Sequence, residues 1–434
     1  MDKMADVLGR AGAWCGQNKY LSAIKNAFQN FMPLTIAGAI GVLWCNVLVN
    51  DQTGLGLFFK PIMALDFLNP AFQAVNFCTI SCITVGITLG IAQEIGVWNM
   101  GAERAGYIPG LVGLAAWLSV TNTSHMVDGA KEAFTGIAGN ELGATGLFTG
   151  MIIGVLSVEL FCFFEKQDAL KIKMPEQVPP GVARAFEVLV PATITLIITA
   201  CIGSACYNLT GLYLNDVIKN GIQGPLGAVG ATIPGVMIIY LVIMLFWLVG
   251  IHGNNMLSAV KEALFTPLAL ENVEAFNKGE TPKNIINMYA LQMWGEFGGS
   301  GVTIGLVIAI MIFGKREDNK AIASLSLVPG LFNINETVTF GIPMVLNPIL
   351  GIPFVVAPLV TIIIGYVLTV IGFCPVACLT VPWTTPPIVF GFLACGANVM
   401  GAVTQAILIV VSTVIYTPFL IAYEKYQNKQ AAEA

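Results

Sequence analysis

Long runs without any acidic or basic residue form the dominant pattern of this chain. A single helix crosses the hydrocarbon core of a bilayer with about 20 apolar residues, so each run can hold one or more crossings. The runs cover 26–50, 67–93, 105–127, 142–164 with one interruption at Glu159, 188–215, 220–260, 297–314 and 337–423. The pattern predicts an all-α, polytopic membrane protein with about ten transmembrane helices.

The composition supports this fold class and excludes others. Of the 434 residues, 56% are hydrophobic and only 10% are charged, whereas soluble domains carry about 25% charged residues. A transmembrane β-barrel would show alternating segments of about ten residues, and these runs are longer and uniform. The net charge of −5 and the lack of a basic tract predict no nucleic acid partner.

The ten cysteines do not indicate a metal centre. They lie mostly in apolar runs and form neither a CxxC pair nor a Cys/His spacing typical of zinc sites. Free cysteines usually behave as small buried apolar residues, and no GxxxxGK[ST] nucleotide loop occurs. The sequence therefore predicts no metal ion and no cofactor.

Basic residues indicate the orientation in the membrane. They cluster in the first 25 residues, at 166–184, at 315–320 and at 425–429. Because basic residues accumulate in cytoplasmic loops, both termini are predicted to be cytoplasmic in a bacterial inner membrane. The first 25 residues mix charged and apolar side chains without the apolar core of a signal peptide. They predict an amphipathic helix at the membrane interface.

A segment with three prolines, 166–184, predicts a linker between an N-terminal half, 1–183, and a C-terminal half, 184–434. The second half carries Gly and Pro within its apolar runs, as in GIPFVVAPL and TVPWTTPPIVFG. Broken helices persist in a membrane only where protein buries them or where they line a wet cavity. Such breaks commonly form substrate sites near mid-membrane. We therefore expect the transport site in the second half.

Glu336 is the strongest functional candidate, because an uncharged run of 87 residues follows it. A carboxylate in hydrocarbon is costly, and an acidic residue there is by default a functional-site hypothesis. Asn333 and Asn335 add hydrogen-bonding groups beside it. The alternative interpretation is a carboxylate in an interfacial loop or at a helix N-terminus.

His252 is the second candidate, because it follows the apolar stretch YLVIMLFWLVG and precedes Gly253, Asn254 and Asn255. Near neutral pH an imidazole can donate, accept or carry a proton. The alternative is a histidine satisfied at a helix end. The other histidine, His125, lies in TNTSHMVDG and is expected to be an ordinary loop residue.

Two further segments could contribute to a substrate site. The segment EFGGSGVT contains Glu296, Gly298, Gly299 and Ser300. Its turn could present backbone N–H groups to a ligand, and close helix packing is the alternative. The segment PWTTPP contains Trp383 and Thr384. An indole face could stack on a sugar ring while a hydroxyl binds the ring edge, and an interfacial tryptophan is the alternative.

Four stretches together resemble the lactose/cellobiose/diacetylchitobiose family of sugar phosphotransferase system (PTS) IIC subunits. They are GIHGNNM, EFGGSGVTIGL, GLFNINETVTFGIPMVLNP and VPWTTPPIVFGFLACG. The resemblance spans nearly the whole chain, and Asn-x-Asn-Glu followed by Phe-Gly-x-Pro is its most specific part. One departure is Thr337, which stands where the family usually has proline.

The resemblance implies a homodimer formed largely by the N-terminal half, two re-entrant hairpins, and a sugar site deep in the C-terminal half. It implies that a β-linked disaccharide of the cellobiose, diacetylchitobiose or lactose type is phosphorylated on its 6-hydroxyl by a phosphocysteine of the IIB protein. Glu336 and His252 carry over as the groups acting on that hydroxyl. Weaker carry-overs as sugar contacts are Asn254, Glu296, Gly298, Gly299, Ser300, Asn333, Asn335, Trp383 and Thr384.

Elementary chemistry agrees with these roles, since a carboxylate that accepts a hydrogen bond activates a hydroxyl as a nucleophile. On this hypothesis the chain forms the sugar site of a protein-phosphocysteine–sugar phosphotransferase, with IIA and IIB as separate proteins. The alternative is an ion-coupled secondary sugar transporter in which Glu336 is the coupling-ion site. That protein would deliver unmodified sugar to the cytoplasm.

Overall fold

The computed structural model describes residues 10, 14, 17–51, 55–125, 134–175, 177–225, 230–342 and 344–433. Within these ranges the only strands are β1 (Ser124–His125) and β2 (Phe134–Thr135), which pair antiparallel. The remaining regular structure is helical, which confirms the predicted all-α class. Of the first 25 residues, for which an amphipathic helix was predicted, the structure describes residues 10, 14 and 17–25, and residues 19–25 form the start of a long helix. The rest of that prediction lies outside the described residues.

The first part of the chain forms long helices joined by short ones. They are α1 (Lys19–Leu43), α2 (Asn69–Asn76), α3 (Ile83–Met100), α4 (Ala102–Ala105), α5 (Ile108–Val120), α6 (Gly139–Leu142), α7 (Ala144–Glu165), α8 (Pro180–Thr210) and α9 (Leu214–Ile218). Local chemistry explains the limits of α8. Proline fits the first helical turn, where its missing N–H is not needed, and Gly211 ends the helix with a left-handed φ of 71°.

The second part of the chain alternates long helices with very short ones. They are α10 (Ile233–Leu248), α11 (Gly253–Met256), α12 (Ser258–Asn277), α13 (Met288–Gly295), α14 (Ile304–Phe313), α15 (Glu317–Leu331), α16 (Glu336–Gly341), α17 (Gly351–Val370), α18 (Val389–Ala394) and α19 (Val399–Glu433). Side-chain caps begin three of them, one being α11, which His252 caps. Thr232 accepts from the N–H of Gly235 at α10, and Asn287 accepts from the N–H groups of Tyr289 and Ala290 at α13.

The described residues form two compact units. Unit 1 contains Ala39–Ala74 and Val229–Ala434, and unit 2 contains Gln17–Gly38 and Val75–Ala228. Helix α8 was assigned to the second half from the sequence, yet it belongs to unit 2 because it packs against α5 and α7. The functional division at residue 183 into a scaffold half and a sugar-binding half stays a prediction.

Unit 2 is stabilised by close helix packing and by an ion cluster around the buried Glu165. A Cβ on Gly113 would lie 2.3 Å from the Cβ of Ala92, and one on Gly150 would lie 2.2 Å from the Oγ1 of Thr88. Small residues at such crossings let helix backbones approach closely. The buried Glu165 carboxylate accepts from Arg104 and Arg184 at 2.9 Å each, which ties the start of α8 to the end of α7.

Five of the described helices are long and apolar enough to cross a membrane. They are residues Lys19–Leu48, α7, α8, α17 and α19 without its last residues, and counting two bent helix pairs as one span each raises the number to seven. The pair formed by Met288–Val302 and α14 bends by 60°, as a broken or re-entrant span does. The shorter helices α5 and α10 are also apolar. The predicted total of about ten crossings stays a prediction.

Candidate functional site

His252 lies in a sharp break between α10 and α12. The chain leaves α10 through Gly250, whose φ is 81°, and turns back onto the same helix. A Cβ on Gly253 would lie only 2.0 Å from the carbonyl oxygen of Ile243. Only glycine permits so close an approach, which explains why the residue after His252 is glycine.

Hydrogen bonding defines the orientation of the His252 imidazole. Its Nδ1 atom accepts from the backbone N–H of Asn255 at 3.2 Å and caps the short helix α11. A nitrogen that accepts cannot carry a proton, so the hydrogen of the neutral ring lies on Nε2. The ring of the buried Trp247 lies beside it, 4.4 Å between centroids. His252 is thus positioned as a hydrogen-bond donor through Nε2.

Glu336 is the first residue of α16 and lies opposite that donor. Its Oε1 atom is 3.8 Å from Nε2 of His252, and the two side chains are 47% and 39% exposed. The distance is too long for a direct hydrogen bond. A ligand hydroxyl beside both groups could accept from Nε2 and donate to Oε1. The helix N-terminus favours the negative charge of the carboxylate.

The glycine-rich segment forms a tight turn between α13 and α14. Gly298, Gly299 and Gly301 have φ values of 70°, 87° and 80°, which side-chain-bearing residues rarely adopt. Tyr416 donates to the carbonyl of Gly301 at 2.8 Å, and Thr303 donates to the carbonyl of Gly298 at 2.6 Å. Buried hydrogen bonds therefore hold this turn in one conformation.

The Asn333 side chain connects three irregular segments. Its Oδ1 atom accepts from the N–H of Gly298 at 2.7 Å. Its Nδ2 group donates to the carbonyl oxygens of Trp383 at 2.5 Å and Thr385 at 3.0 Å. Asn333 itself has a left-handed φ of 62°. Its polar atoms bind backbone, and its predicted sugar contact stays a prediction.

Two further amide side chains bind the same turn. Asn335 is buried and donates to the carbonyl of Ser300 at 2.9 Å and to Oγ1 of Thr339 at 3.1 Å. Asn254 donates to Oγ of Ser300 at 3.0 Å. Its Oδ1 atom is buried and has no hydrogen-bond partner among the described residues, which leaves one acceptor for a ligand or a water.

Glu296 is engaged by two residues that the sequence did not single out. The Lys261 ammonium forms an ion pair with Glu296 Oε1, and Tyr240 donates to the same oxygen at 2.7 Å. Lys261 and Tyr240 are both buried, and a buried lysine needs a partner charge. The only signal in the sequence was that Lys261 ends the uncharged run 220–260.

Trp383 and Thr384 lie in the loop between α17 and α18. Trp383 is 44% exposed, and its backbone carbonyl accepts a hydrogen bond from Asn333. Thr384 is half-buried. The exposed indole is available for stacking on a ligand. The predicted site residues all lie in unit 1. Hydrogen bonds join Asn254, Asn333 and Asn335 to the glycine-rich turn, whereas the side chains of His252 and Glu336 face each other without a direct hydrogen bond.

The described residues contain no group of three or more His, Cys, Asp or Glu side chains that could hold a metal ion. His125, expected in a loop, lies in the two-residue strand β1, where its ring is 5.6 Å from that of Phe134 between centroids. Nε2 of His252, the Glu336 carboxylate and the exposed ring of Trp383 offer a donor, an acceptor and an aromatic surface to a polar organic ligand.

Comparison with known proteins identifies the class of this site. The sequence profile described as "Phosphotransferase system, EIIC" matches residues 25–358. The chain belongs to the phosphotransferase system EIIC family. It is 33% identical to the PTS system oligo-beta-mannoside-specific EIIC component of Bacillus subtilis over 429 residues, which is 98% of this chain and 94% of that protein.

Other EIIC proteins show the same similarity over nearly the full length. The PTS system cellobiose-specific EIIC component of Lactococcus lactis is 30% identical over 486 residues, with 98% of each chain covered. The crystal structure of the transporter ChbC, the IIC component from the N,N'-diacetylchitobiose-specific phosphotransferase system, is 30% identical and superposes with a TM-score of 0.88 over 97% of each chain.

Family membership decides between the two alternatives left by the sequence. An EIIC protein is the membrane component of a sugar phosphotransferase system, so the chain is a multi-pass membrane protein that transports sugar with IIA and IIB partners. Membership in this family therefore excludes the interpretation of the chain as an ion-coupled secondary transporter.

Proposed function

We propose that this EIIC protein binds a β-linked disaccharide beside His252 and Glu336 and presents its 6-hydroxyl for phosphorylation. The carrying observation is the 3.8 Å separation between Nε2 of His252 and Oε1 of Glu336, with both side chains partly exposed. A sugar hydroxyl fits between a donor and an acceptor at this spacing. The exposed Trp383 face would stack on a pyranose ring.

The phosphoryl group would come from a phosphocysteine of the IIB protein. The hydroxyl oxygen forms a bond to phosphorus while the bond between phosphorus and the cysteine sulfur breaks. The hydroxyl proton passes to Glu336, and the sulfur leaves as a thiolate. Phosphoryl transfer depends mostly on positioning and on charge stabilisation. Glu336 and His252 therefore orient the hydroxyl, and the phosphocysteine of IIB supplies the phosphoryl group.

The sugars of the relatives suggest the substrate class. The names of these relatives specify cellobiose, an oligo-beta-mannoside and N,N'-diacetylchitobiose, and a lactose-specific EIICB component of Streptococcus mutans is 32% identical over 96% of this chain and 71% of that protein. We infer that the substrate is a disaccharide of this type. A homodimer, cytoplasmic termini and the roles of the remaining predicted contacts belong to the same proposal.

The test separates sugar binding from phosphorylation in purified protein. Glu336→Gln keeps the shape and a hydrogen bond but removes the proton acceptor, so it should retain disaccharide binding. Phosphorylation by phospho-IIB should fall by about 100-fold or more, the contribution typical of a general base. Binding is measured by calorimetry, and phosphorylation by the appearance of sugar phosphate with IIA and IIB present.

Two variants make this test decisive. His252→Ala should weaken binding as well as phosphorylation, because it removes the Nε2 donor. Glu274→Gln, which changes an exposed acid paired with Lys278 elsewhere in unit 1, should change neither. Full phosphorylation by Glu336→Gln would contradict the proposed role of Glu336, and unaltered binding by His252→Ala would contradict that of His252.

A further inference from the structure

An open apolar groove lies between α14 and α19, and none of the residues that line it belongs to the proposed sugar site. It has a volume of about 670 Å³, within the size range of small-molecule sites. Ile312, Val410 and Val414 line it and are more than 60% exposed. Such an exposed apolar surface calls for an apolar occupant.

The hydroxyl groups of the residues that line this groove form hydrogen bonds within α19. Thr413 and Thr417 line it, but their hydroxyls donate to the carbonyls of Ile409 at 2.9 Å and of Thr413 at 2.7 Å within α19. The threonines thus present mainly their methyl groups. A sugar or peptide would find few hydrogen-bond partners here, whereas a hydrocarbon chain needs none.

The two helices run in the same direction and end at the same side. Near the start of α14, Ser412 in the middle of α19 donates to the carbonyl of Val302 at 2.9 Å. Just after the end of α14, the N–H of Lys315 donates to the carboxylate of Glu424, further along α19, at 2.8 Å. The end of the groove, marked by Phe313 and Ile421, therefore lies next to the segment that follows α14.

Two lysines stand at this end of the groove. Lys425 lies four residues after Ile421, one turn further along the same face of α19, and Lys315 follows Phe313 by two residues. Both are exposed. Among the described residues neither ammonium forms an ion pair with a carboxylate, in contrast to Arg316 and Lys320, which pair with Asp318 and Glu317.

The nearby acid does not compensate these lysines. The Glu424 carboxylate is buried and accepts from the N–H groups of Lys315 and Arg316 and from the side chain of Asn319 at 3.1 Å. The end of the groove thus combines an apolar channel with two available positive charges.

We propose that this groove binds an anionic phospholipid, with an acyl chain along α19 and the phosphate against Lys315 and Lys425. Basic pockets at the ends of transmembrane helices suit anionic headgroups, and the apolar walls suit the chain. The proposal concerns a surface separate from the sugar site, and its test does not depend on transport.

Native mass spectrometry of the detergent-purified protein tests the proposal directly. The probes are dioleoyl-phosphatidylglycerol and dioleoyl-phosphatidylcholine in equal amounts, which share their chains and differ in charge. We expect preferential retention of phosphatidylglycerol, with Lys315→Gln and Lys425→Gln each reducing the preference about fivefold, the equivalent of ~1 kcal/mol per basic residue. Lys278→Gln, at an exposed lysine paired with Glu274, is the matched control.

Variants of the groove and a free headgroup test the part played by the chain. Val414→Trp should fill the groove and reduce retention of phosphatidylglycerol, while Val367→Trp, on the exposed face of α17, should not. Glycerol phosphate in excess should fail to displace the lipid. Equal retention of both lipids, or a preference that survives both lysine changes, would overturn the proposal. So would a Val414→Trp effect on oligomeric mass alone, which would mean that a second copy covers the groove.

Discussion

Gly299 has a backbone conformation that few other residues tolerate. Its φ is 87°, and a Cβ there would lie 2.7 Å from the Cβ of Asn335. Gly372 has a similar φ of 77°, but no atom lies within 4 Å of its Cβ position. A side chain would therefore strain the backbone at both positions, but only at Gly299 would its Cβ also collide with a neighbouring residue.

This pair supports a prediction at the residue scale. Gly372→Ala should lower the free energy of unfolding by about 1–3 kcal/mol through backbone strain alone. Gly299→Ala should lower it further and should also weaken disaccharide binding, because Asn335 must move away from Ser300. Thermal unfolding in detergent and calorimetry measure the two effects. Equal stabilities and unaltered binding in both variants would show that the turn is not a rigid support.

Single residues also show what a sequence can and cannot predict about a site. Glu336 and His252 were recognisable because each is a polar group in an apolar setting. Their 3.8 Å separation was not predictable from residue chemistry, since it depends on packing between segments far apart in the chain. The same limit hid Lys261, whose partner Glu296 lies on another element.

Thr337 departs from the proline that the family usually carries at this position. It is the second residue of α16 and is exposed. The first turn of a helix tolerates proline because its N–H groups have no partner within the helix. Proline and threonine are therefore both compatible with the backbone that holds Glu336, and the departure leaves the local helix intact.

At the scale of elements, the Glu424 carboxylate links α15 to α19. It accepts from the backbone of Lys315 and Arg316 and from Asn319. Glu424→Gln replaces the charged acceptor with a neutral amide, whose NH2 group would face the N–H groups that the carboxylate now accepts from. Because hydrogen bonds to charged groups contribute about 1.5–3 kcal/mol, we expect a measurable loss of stability in thermal unfolding.

Glu317 supplies the control for this prediction. It lies in the first turn of α15, and its side chain is 87% exposed in an ion pair with Lys320. Exposed ion pairs contribute at most about 1 kcal/mol. Glu317→Gln should therefore leave the unfolding temperature almost unchanged, and an equal effect of both variants would contradict the proposed link.

The long helices were predictable from the sequence, and the short ones were not. The run 188–215 corresponds to α8, and 142–164 corresponds to α7. The run 337–423 contains α17, α18 and the larger part of α19 as well as irregular loops. Short helices such as α11 and α18 span too few residues for a hydrophobic period to identify them. Contacts with neighbouring segments, such as the cap from His252, determine where they form.

At the scale of the whole molecule, the grouping of helices was less predictable than their existence. The proline-containing linker suggested a boundary near residue 183, but α8 packs on α5 and α7 within unit 2. The buried carboxylate of Glu165 draws Arg184 towards α7 across that linker. Sequence composition locates a linker, but it does not show with which unit the helix after the linker packs.

The proposed orientation in the membrane yields a prediction at the same scale. Green fluorescent protein fused after Ala434 should fluoresce, and alkaline phosphatase fused there should be inactive, because a cytoplasmic C-terminus follows from the basic residues. Helix α8 leaves a predicted cytoplasmic linker, so phosphatase fused after Gly211 should be active. An active phosphatase at the C-terminus would reverse the proposed topology.

The bonds made by Asn333 have a consequence for how sugar preference could diversify. One amide joins the backbones of the glycine turn and the tryptophan loop to its own segment, so the three segments of the proposed sugar site share a common frame. Exposed side chains of these segments, such as that of Trp383, can be substituted without changing the backbone conformation. We therefore expect EIIC proteins named for different sugars to differ in the exposed side chains of these loops and to share the course of the loop backbones.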